Sequence, residues 1–183
     1  SLIPTLFVPM TGEAERRREV LPDPSKPGIY NGDFEEGIGD LEDLAGWHYQ
    51  RGLQWIADPK APSGKRYVTF RSERQGQLAQ ALQGFAVDGR AVKELSVSLW
   101  VRGEGIRPTP NGGIAALILI FYDENRSSIG EGMVGPWRGS FAWERQTSRL
   151  KVPLKTRGAL VRIGLMGASG ELSVDGIEIG PAN

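Results

Sequence analysis

Few side chains in this sequence could take part in catalysis, and they form no recognisable catalytic site. His48 is the only histidine, so a catalytic triad or a histidine-ligated zinc site would depend on it alone. Glu171 and Asp175 are an acid pair of the kind that glycosidases use, but we expect a bulge between the two halves of their strand to misalign them. A hydrolase or lyase built on this pair is the least favoured function. The sequence predicts a protein that is not an enzyme.

Composition and charge exclude several classes of partner. The 183 residues include 22 Lys+Arg and 22 Asp+Glu, and without a net positive field we expect no binding to nucleic acid or to an anionic membrane. The longest strongly apolar run, Ile114–Tyr122, is too short to span a bilayer. There is no cysteine, which excludes disulfides and thiolate metal sites.

The first thirty residues differ from the rest of the chain. Residues 12–21 are the only stretch with helical composition, and three prolines follow closely, which ends a helix. We therefore expect residues 1–29 to be an arm or linker with one short helix, and residues 30–183 to form one domain. The chain begins with Ser1 rather than Met, so we expect a processed form or a fragment whose targeting signal is out of view.

Beyond the arm, apolar residues recur with a period of two, which is typical of half-buried β-strands. The segment 95–102 alternates between an apolar face and a polar one. The apolar face consists of Leu95, Val97, Leu99 and Val101, and the polar face, which includes a tryptophan, consists of Ser96, Ser98, Trp100 and Arg102. The same alternation is found in segments 65–71 and 160–166, and segment 171–179 needs a bulge near Gly176 to keep it. Breakers between about nine such runs predict an all-β, two-sheet antiparallel β-sandwich.

The segment Ile114–Tyr122 is apolar at both parities. A strand of this kind is expected to be covered on both faces. The N-terminal arm, a ligand or a partner could supply the second cover.

Two short motifs at the ends of the predicted sandwich resemble a known family. Residues 31–37 read Asn-Gly-Asp-Phe-Glu-Glu-Gly, and residues 172–179 read Leu-Ser-Val-Asp-Gly-Ile-Glu-Ile. With the strands between them, over residues 30–181, they resemble the carbohydrate-binding modules of the family 4/9/16/22 type, which share the galactose-binding-domain-like jelly roll. The resemblance implies jelly-roll topology, which the periodicity alone does not.

The resemblance also implies a calcium site that ties the first strand to the last. Matched by position, Glu35 and Asp175 would supply carboxylates and Asp33 a backbone carbonyl. Ser63 stands where the family often has a third acidic ligand, and water or the Arg66 carbonyl would complete the site. Calcium takes roughly six to eight oxygen ligands, so carbonyls serve well beside two carboxylates. The alternative is that Glu35 and Asp175 only cap turns or pair with Arg66.

Carbohydrate sites in such modules combine aromatic faces with polar groups, because a sugar ring offers an apolar C–H face and several hydroxyls. The side chains expected to do this are Trp137, Trp100, Tyr122, Tyr67, Arg102 and Arg162. Trp137 is expected in a loop, at residues 135–139, where it has no need to be buried. Trp47 and Trp143 are expected mainly in the core. For each aromatic residue the alternative is ordinary packing.

One position departs from the family. The strand after Arg71 often opens with a binding aromatic residue, whereas this chain has Gly76-Gln77. The predicted function is a non-catalytic, calcium-stabilised module that binds polysaccharide or oligosaccharide. It would be an accessory part of a secreted, periplasmic or cell-surface protein, with neighbouring domains as further partners. The alternative is a protein–protein interaction or spacer domain on the same fold, which the doubly apolar Ile114–Tyr122 would suit.

Overall fold

The computed structural model describes residues 22–39 and 43–182, so the helix expected at residues 12–21 lies outside the described residues. The described residues form no helix, and therefore no helix that could cross a membrane. They form ten strands: β1 His48–Arg51, β2 Leu53–Ala57, β3 Arg66–Ser72, β4 Leu78–Ala86, β5 Glu94–Arg107, β6 Ile114–Tyr122, β7 Ser128–Trp137, β8 Gly139–Lys151, β9 Gly158–Met166 and β10 Ser169–Pro181.

The strands form two five-stranded sheets that pack face to face. Sheet I has the order β1-β4-β9-β6-β7, and sheet II has the order β2-β3-β10-β5-β8. All the neighbouring strands within each sheet are antiparallel. The predicted two-sheet antiparallel β-sandwich is confirmed.

The core lies between the sheets and comes from alternate strand positions. In β5 the fully buried side chains are Leu95, Val97, Leu99 and Val101, the set that the period of two predicted. Full burial of one such side chain contributes about 1.5–3 kcal/mol to stability. Their neighbours of opposite parity therefore lie on the outer face of sheet II.

The predicted bulge in β10 is present, but it begins after Asp175 rather than before it. The pairing of β10 with β5 shifts register between Asp175 and Glu178, and Gly176 has a φ of 55°. Glycine adopts this conformation at little cost. Because the bulge does not separate them, Glu171 and Asp175 keep the same parity, and the expected misalignment of this acid pair is wrong.

The strand β6 has the predicted bounds and is apolar on both faces. Its residues Leu117, Leu119 and Phe121 are fully buried in the core, whereas Ile118 and Ile120 are half-buried on the outer face of sheet I. The described end of the arm does not lie over β6. It runs beside β4, where the backbone N–H and C=O of Tyr30 bond to the Gln83 side chain.

Candidate binding site

The six residues predicted to bind carbohydrate lie in three different places. Tyr67, Trp100 and Arg102 lie on the outer face of sheet II. Tyr122 and Arg162 lie on the outer face of sheet I, and Trp137 lies in the core. The sequence pattern therefore does not correspond to one site.

Trp137 is not in an exposed loop, so that expectation is wrong. It is the last residue of β7, it is 5% exposed, and it belongs to the core. The pairing of β7 with β6 shifts register between Ala115 and Leu117. This shift changes the parity of β7 after Val134 and turns Trp137 inward, opposite Ala115. Its indole N–H donates to Gln146 Oε1 at 2.8 Å. The ring face is thus used in packing.

On sheet II, β5 and β8 bring two tryptophans and two arginines together. Trp100 of β5 pairs directly with Arg145 of β8. Two residues further along β5, the Arg102 guanidinium lies over the Trp143 ring. Each tryptophan therefore has an arginine across the strand pair. We call this surface, with Tyr67 of β3 beside it, the tryptophan–arginine face.

Arg102 contacts two aromatic rings of this face. Its guanidinium carbon is 4.9 Å from the Trp143 ring centroid and 5.4 Å from that of Tyr67, within the range of cation–π attraction. The two rings meet edge to face with centroids 5.2 Å apart. Arg102 Nη2 also donates to the hydroxyls of Tyr67 and Ser173, each at 3.3 Å. Among the described residues, no carboxylate lies within 4.0 Å of its guanidinium nitrogens.

Trp143 was expected in the core but is half-buried on the outer surface. The residues that share its parity along β8 are polar, namely Arg145, Thr147, Arg149 and Lys151, and this was the signal for an outward tryptophan. Trp47, by contrast, is 3% exposed and lies in the core as predicted.

The outer face of sheet I is mainly aliphatic. One row across it consists of His48, Leu82, Arg162, Ile118 and Met133, and Ile120 pairs with Leu160 and Glu131 in the next row. Arg162 Nε donates to Gln80 Oε1 at 2.6 Å, so the main polar group of this face is already bonded. Tyr122 lies at the end of β6, opposite Gly158. We call this surface the aliphatic face.

The predicted calcium ligands meet where the first described segment approaches β10. Glu35 accepts the backbone N–H groups of Lys65 and Arg66 at 2.7 and 2.8 Å. Asp175 accepts those of Ser63 and Gly176, both at 2.8 Å. The loop at residues 63–66 is thereby held between the two carboxylates. These bonds have the form that the turn-capping alternative predicts.

Asp175 is fully buried, and no ion pair to it is found among the described residues. Burial raises the pKa of Asp175 to about 7, and the nearby charges of Glu35 and Asp33 add to the rise. The Arg66 guanidinium lies 4.0 Å from the Trp55 ring centroid and forms no ion pair with either acid. Negative charge therefore accumulates here without a side-chain cation.

This charge balance suits a bound cation, although side chains alone would not complete its coordination. The described residues contain no cluster of three or more His, Cys, Asp or Glu that could hold a metal. A calcium ion here would use Glu35 and Asp175 with backbone carbonyls and water. Each carboxylate oxygen keeps a lone pair beside the N–H bond that it accepts, so the donor set fits calcium.

The acid pair considered for catalysis has two unlike members. Glu171 pairs with Arg71, with Oε1 and Nε 3.5 Å apart, and its side chain is 35% exposed. Asp175 has no exposed surface and is hydrogen-bonded to the loop at residues 63–66. The two acids therefore do not face a common open site.

Solved structures with the same fold have low sequence identity to this chain. The enzymatically active domain of bacteriophage CBA120 tailspike protein 4 matches with a TM-score of 0.56 and 13% identity, over 84% of this chain and 21% of that one. A family 16 carbohydrate-binding module matches at 0.55 and 13%, over 82% of this chain and 97% of the module. The C-terminal family 22 module of Clostridium thermocellum Xyn10B matches at 0.51 and 14%, over 89% and 98%.

These likenesses establish the fold. This chain spans only 21–26% of the first three matched proteins but nearly the whole of the isolated modules. No family model and no curated protein sequence matches it significantly. The predicted jelly-roll resemblance to carbohydrate-binding modules of families 4, 16 and 22 is confirmed.

Proposed function

We propose that this chain is a non-catalytic carbohydrate-binding module whose sugar site is the tryptophan–arginine face. The observation that carries the proposal is the alternation of Trp100 and Trp143 with Arg102 and Arg145 across β5 and β8. Aromatic rings stack on the apolar face of a sugar, and guanidinium groups donate to its hydroxyls. A flat sheet surface of this composition suits a chain of sugar residues.

The aliphatic face is less suited to a sugar. Sugar hydroxyls lose hydrogen bonds to water on binding, and each unreplaced bond costs free energy. Arg162 Nε and Gln80 Oε1 there are bonded to each other, and Glu131 lies opposite an isoleucine. This face has no exposed tryptophan among the described residues, so a sugar on it would have no large ring to stack on.

The test is a glycan array and affinity gel electrophoresis with the unmodified chain and the double variant Trp100→Ala/Trp143→Ala. We expect binding to at least one polysaccharide and a loss of more than tenfold in the variant, since buried aromatic contacts typically dominate such interfaces. A circular dichroism spectrum and melting curve of the variant serve as the folding control. Binding to no glycan, or equal binding by a folded variant, would overturn the proposal.

The proposal includes calcium at Glu35 and Asp175. Its support is the buried carboxylate without a side-chain cation and the convergence of the first segment, the loop at 63–66 and β10 at one point. When bound, calcium would neutralise these acids and tie the chain segments together. Asp175 pairs with Trp100 on the neighbouring strand, so this site lies beside the tryptophan–arginine face.

The proposal extends to location and context. The module would be an accessory part of a secreted or cell-surface protein that acts on or adheres to polysaccharide. One solved structure of this fold is a CBM22-1–GH10 pair from Clostridium thermocellum complexed with xylohexaose. Localisation of the full-length protein by fractionation tests this part.

The alternative function, a protein–protein interaction or spacer domain, is favoured by one observation. The outward residues Ile118 and Ile120 are only half-buried by the described residues, and a contiguous apolar surface often marks an interaction site. The experiment above separates the two functions, because a spacer domain would bind no glycan.

A further inference from the structure

We propose that the ligand of the tryptophan–arginine face is an acidic glycan, one whose sugar residues carry a carboxylate or a sulfate ester. This inference rests on the proposed function of the same face and specifies the chemical class of its ligand. It follows from the position and the partners of Arg102.

Arg102 is a half-buried cation without an anionic partner. Its hydrogen bonds go to two neutral hydroxyls, on Tyr67 and Ser173, at 3.3 Å, which is long for a bond from a charged donor. A partly desolvated charge is normally compensated by an opposite charge. The described residues place no carboxylate within 4.0 Å of its guanidinium nitrogens.

Three other arginines of sheet II have the acid partner that Arg102 lacks. Arg71 pairs with Glu171 at 3.5 Å, Arg145 with Glu178 at 3.7 Å and Arg149 with Glu94 at 3.8 Å. Arg66 and Arg107 have no such partner among the described residues, but only Arg102 contacts the rings of the proposed sugar site. The missing anion is therefore at the place where a ligand would bind.

The neighbouring acids define how an acidic sugar could approach. Glu104 follows Arg102 by two residues on β5 and pairs with Glu171 of β10. Arg71 forms an ion pair with Glu171, but among the described residues no cation lies within 4.0 Å of the Glu104 carboxylate, so Glu104 would repel an anion there. Arg145 is at the other side, beside Trp100, and its ion pair is exposed, with side chains 54% and 76% accessible. Such exposed pairs exchange easily. The anionic groups of the ligand would thus lie toward Arg102 and Arg145.

The geometry favours a planar or tetrahedral oxyanion. A guanidinium group binds a carboxylate or a sulfate through two parallel N–H donors. The Trp100 ring beside Arg145 leaves a stacking surface next to that cation, whereas Arg102 itself lies over the Trp143 ring. One sugar residue can therefore stack on Trp100 while its acidic substituent meets an arginine.

The test measures affinity by titration calorimetry for pairs of glycans that differ only in charge. The carboxylate arm compares polygalacturonate with its methyl ester and glucuronoxylan with carboxyl-reduced glucuronoxylan. The sulfate arm compares dextran sulfate with dextran. We expect at least one acidic member to bind more than tenfold tighter than its neutral counterpart, with a preference that weakens as NaCl increases.

Variants decide whether Arg102 is the cause. In Arg102→Gln the ratio of acidic to neutral affinity should fall to near one, and Arg102→Lys should keep part of it. Arg71→Gln is the matched control on the same sheet, and it should keep the full ratio because Arg71 already has an acid partner. Melting curves establish that each variant is folded.

The outcomes separate this inference from the proposed function. If neutral and acidic glycans bind equally well and binding requires Trp143, the module binds sugar but the acidic ligand is wrong. An unchanged ratio in folded Arg102→Gln likewise overturns the role of Arg102. If no glycan of either kind binds, the proposed function itself fails.

Discussion

The outer faces of sheets I and II are each formed by five antiparallel strands, yet their side chains differ in kind. Sheet I presents isoleucines and leucines around an arginine that is already bonded to Gln80. Sheet II presents tryptophans and arginines. One of these, Arg102, contacts two aromatic rings and has no acid partner among the described residues. Both faces have the same backbone architecture. The chemistry of each face thus comes from which residues occupy the outward parity.

This difference determines which kind of ligand can displace water from each face. An aliphatic surface gains free energy when any apolar partner covers it, and the gain depends on area rather than on direction. A surface of rings and guanidinium groups gains most from a ligand with matching donors, acceptors and apolar patches. The tryptophan–arginine face is therefore the more selective of the two.

The largest expected effect concerns Trp137, a core tryptophan that belongs to neither face. Trp137→Ala should lower the free energy of unfolding by about 3–5 kcal/mol, because it leaves a cavity in the core. Trp143→Ala should cost only about 1 kcal/mol, as is usual for a partly exposed position. Urea unfolding measures both, with Trp137→Phe as the milder control. Equal losses for the two alanine variants would contradict the placement of Trp137 in the core.

The second prediction concerns calcium at Asp175, beside the tryptophan–arginine face. Calcium at 100 times its Kd should stabilise the fold by about 2.7 kcal/mol, so EDTA should lower the Tm by roughly 5–10 °C for a chain of this size. Asp175→Asn should abolish the EDTA effect. Asp123→Asn, in the turn between β6 and β7, should preserve it. If the Tm of the unmodified chain changed with neither EDTA nor added calcium, the chain would have no such site.

The third prediction maps sugar binding to one tryptophan of this face. Trp143→Ala should weaken glycan binding by about tenfold, which corresponds to about 1.4 kcal/mol. The reason is that the variant loses both a stacking surface and one of the two rings that hold Arg102. Affinity gels with graded polysaccharide concentrations give the ratio. A Trp143→Phe variant, which keeps a ring, should lose less.

The smallest expected effect is on the aliphatic face. Ile118→Ala should change glycan affinity by less than about twofold, which is about 0.4 kcal/mol, because Ile118 is on the opposite surface from the proposed site. The same affinity gels measure it. If Ile118→Ala weakened binding while Trp143→Ala did not, the sugar site would lie on the aliphatic face and not on the tryptophan–arginine face.

Most of the fold could be predicted from the sequence, because alternation within a strand is a local property. The alternation in segment 95–102 correctly separated Leu99 from Trp100, and Gly176 correctly marked a bulge. The two short end motifs also predicted the right fold. Each includes an acid, Glu35 or Asp175, whose carboxylate accepts hydrogen bonds from the loop at residues 63–66.

The candidate site was predicted less well, because it depends on pairing between distant strands. Trp100 and Arg162 have similar local patterns, but β5 is in sheet II and β9 is in sheet I. No local signal places them on opposite surfaces. Trp137 was misplaced because a register shift in β7, which has no local signal, turns it inward. The polar residues along β8 indicate that Trp143 faces outward, but only the pairing of β8 with β5 places it next to Arg102.

The two rings around Arg102 also have a consequence for the entropy of binding. A free arginine side chain has many rotamers, and fixing it costs about 2 kcal/mol. In this protein much of that loss takes place during folding, when the guanidinium packs beside Tyr67 and Trp143. A ligand that binds afterwards meets a donor group that is already oriented, and has only the long bonds to two hydroxyls to replace. Preorganisation of this kind raises affinity without enlarging the contact area.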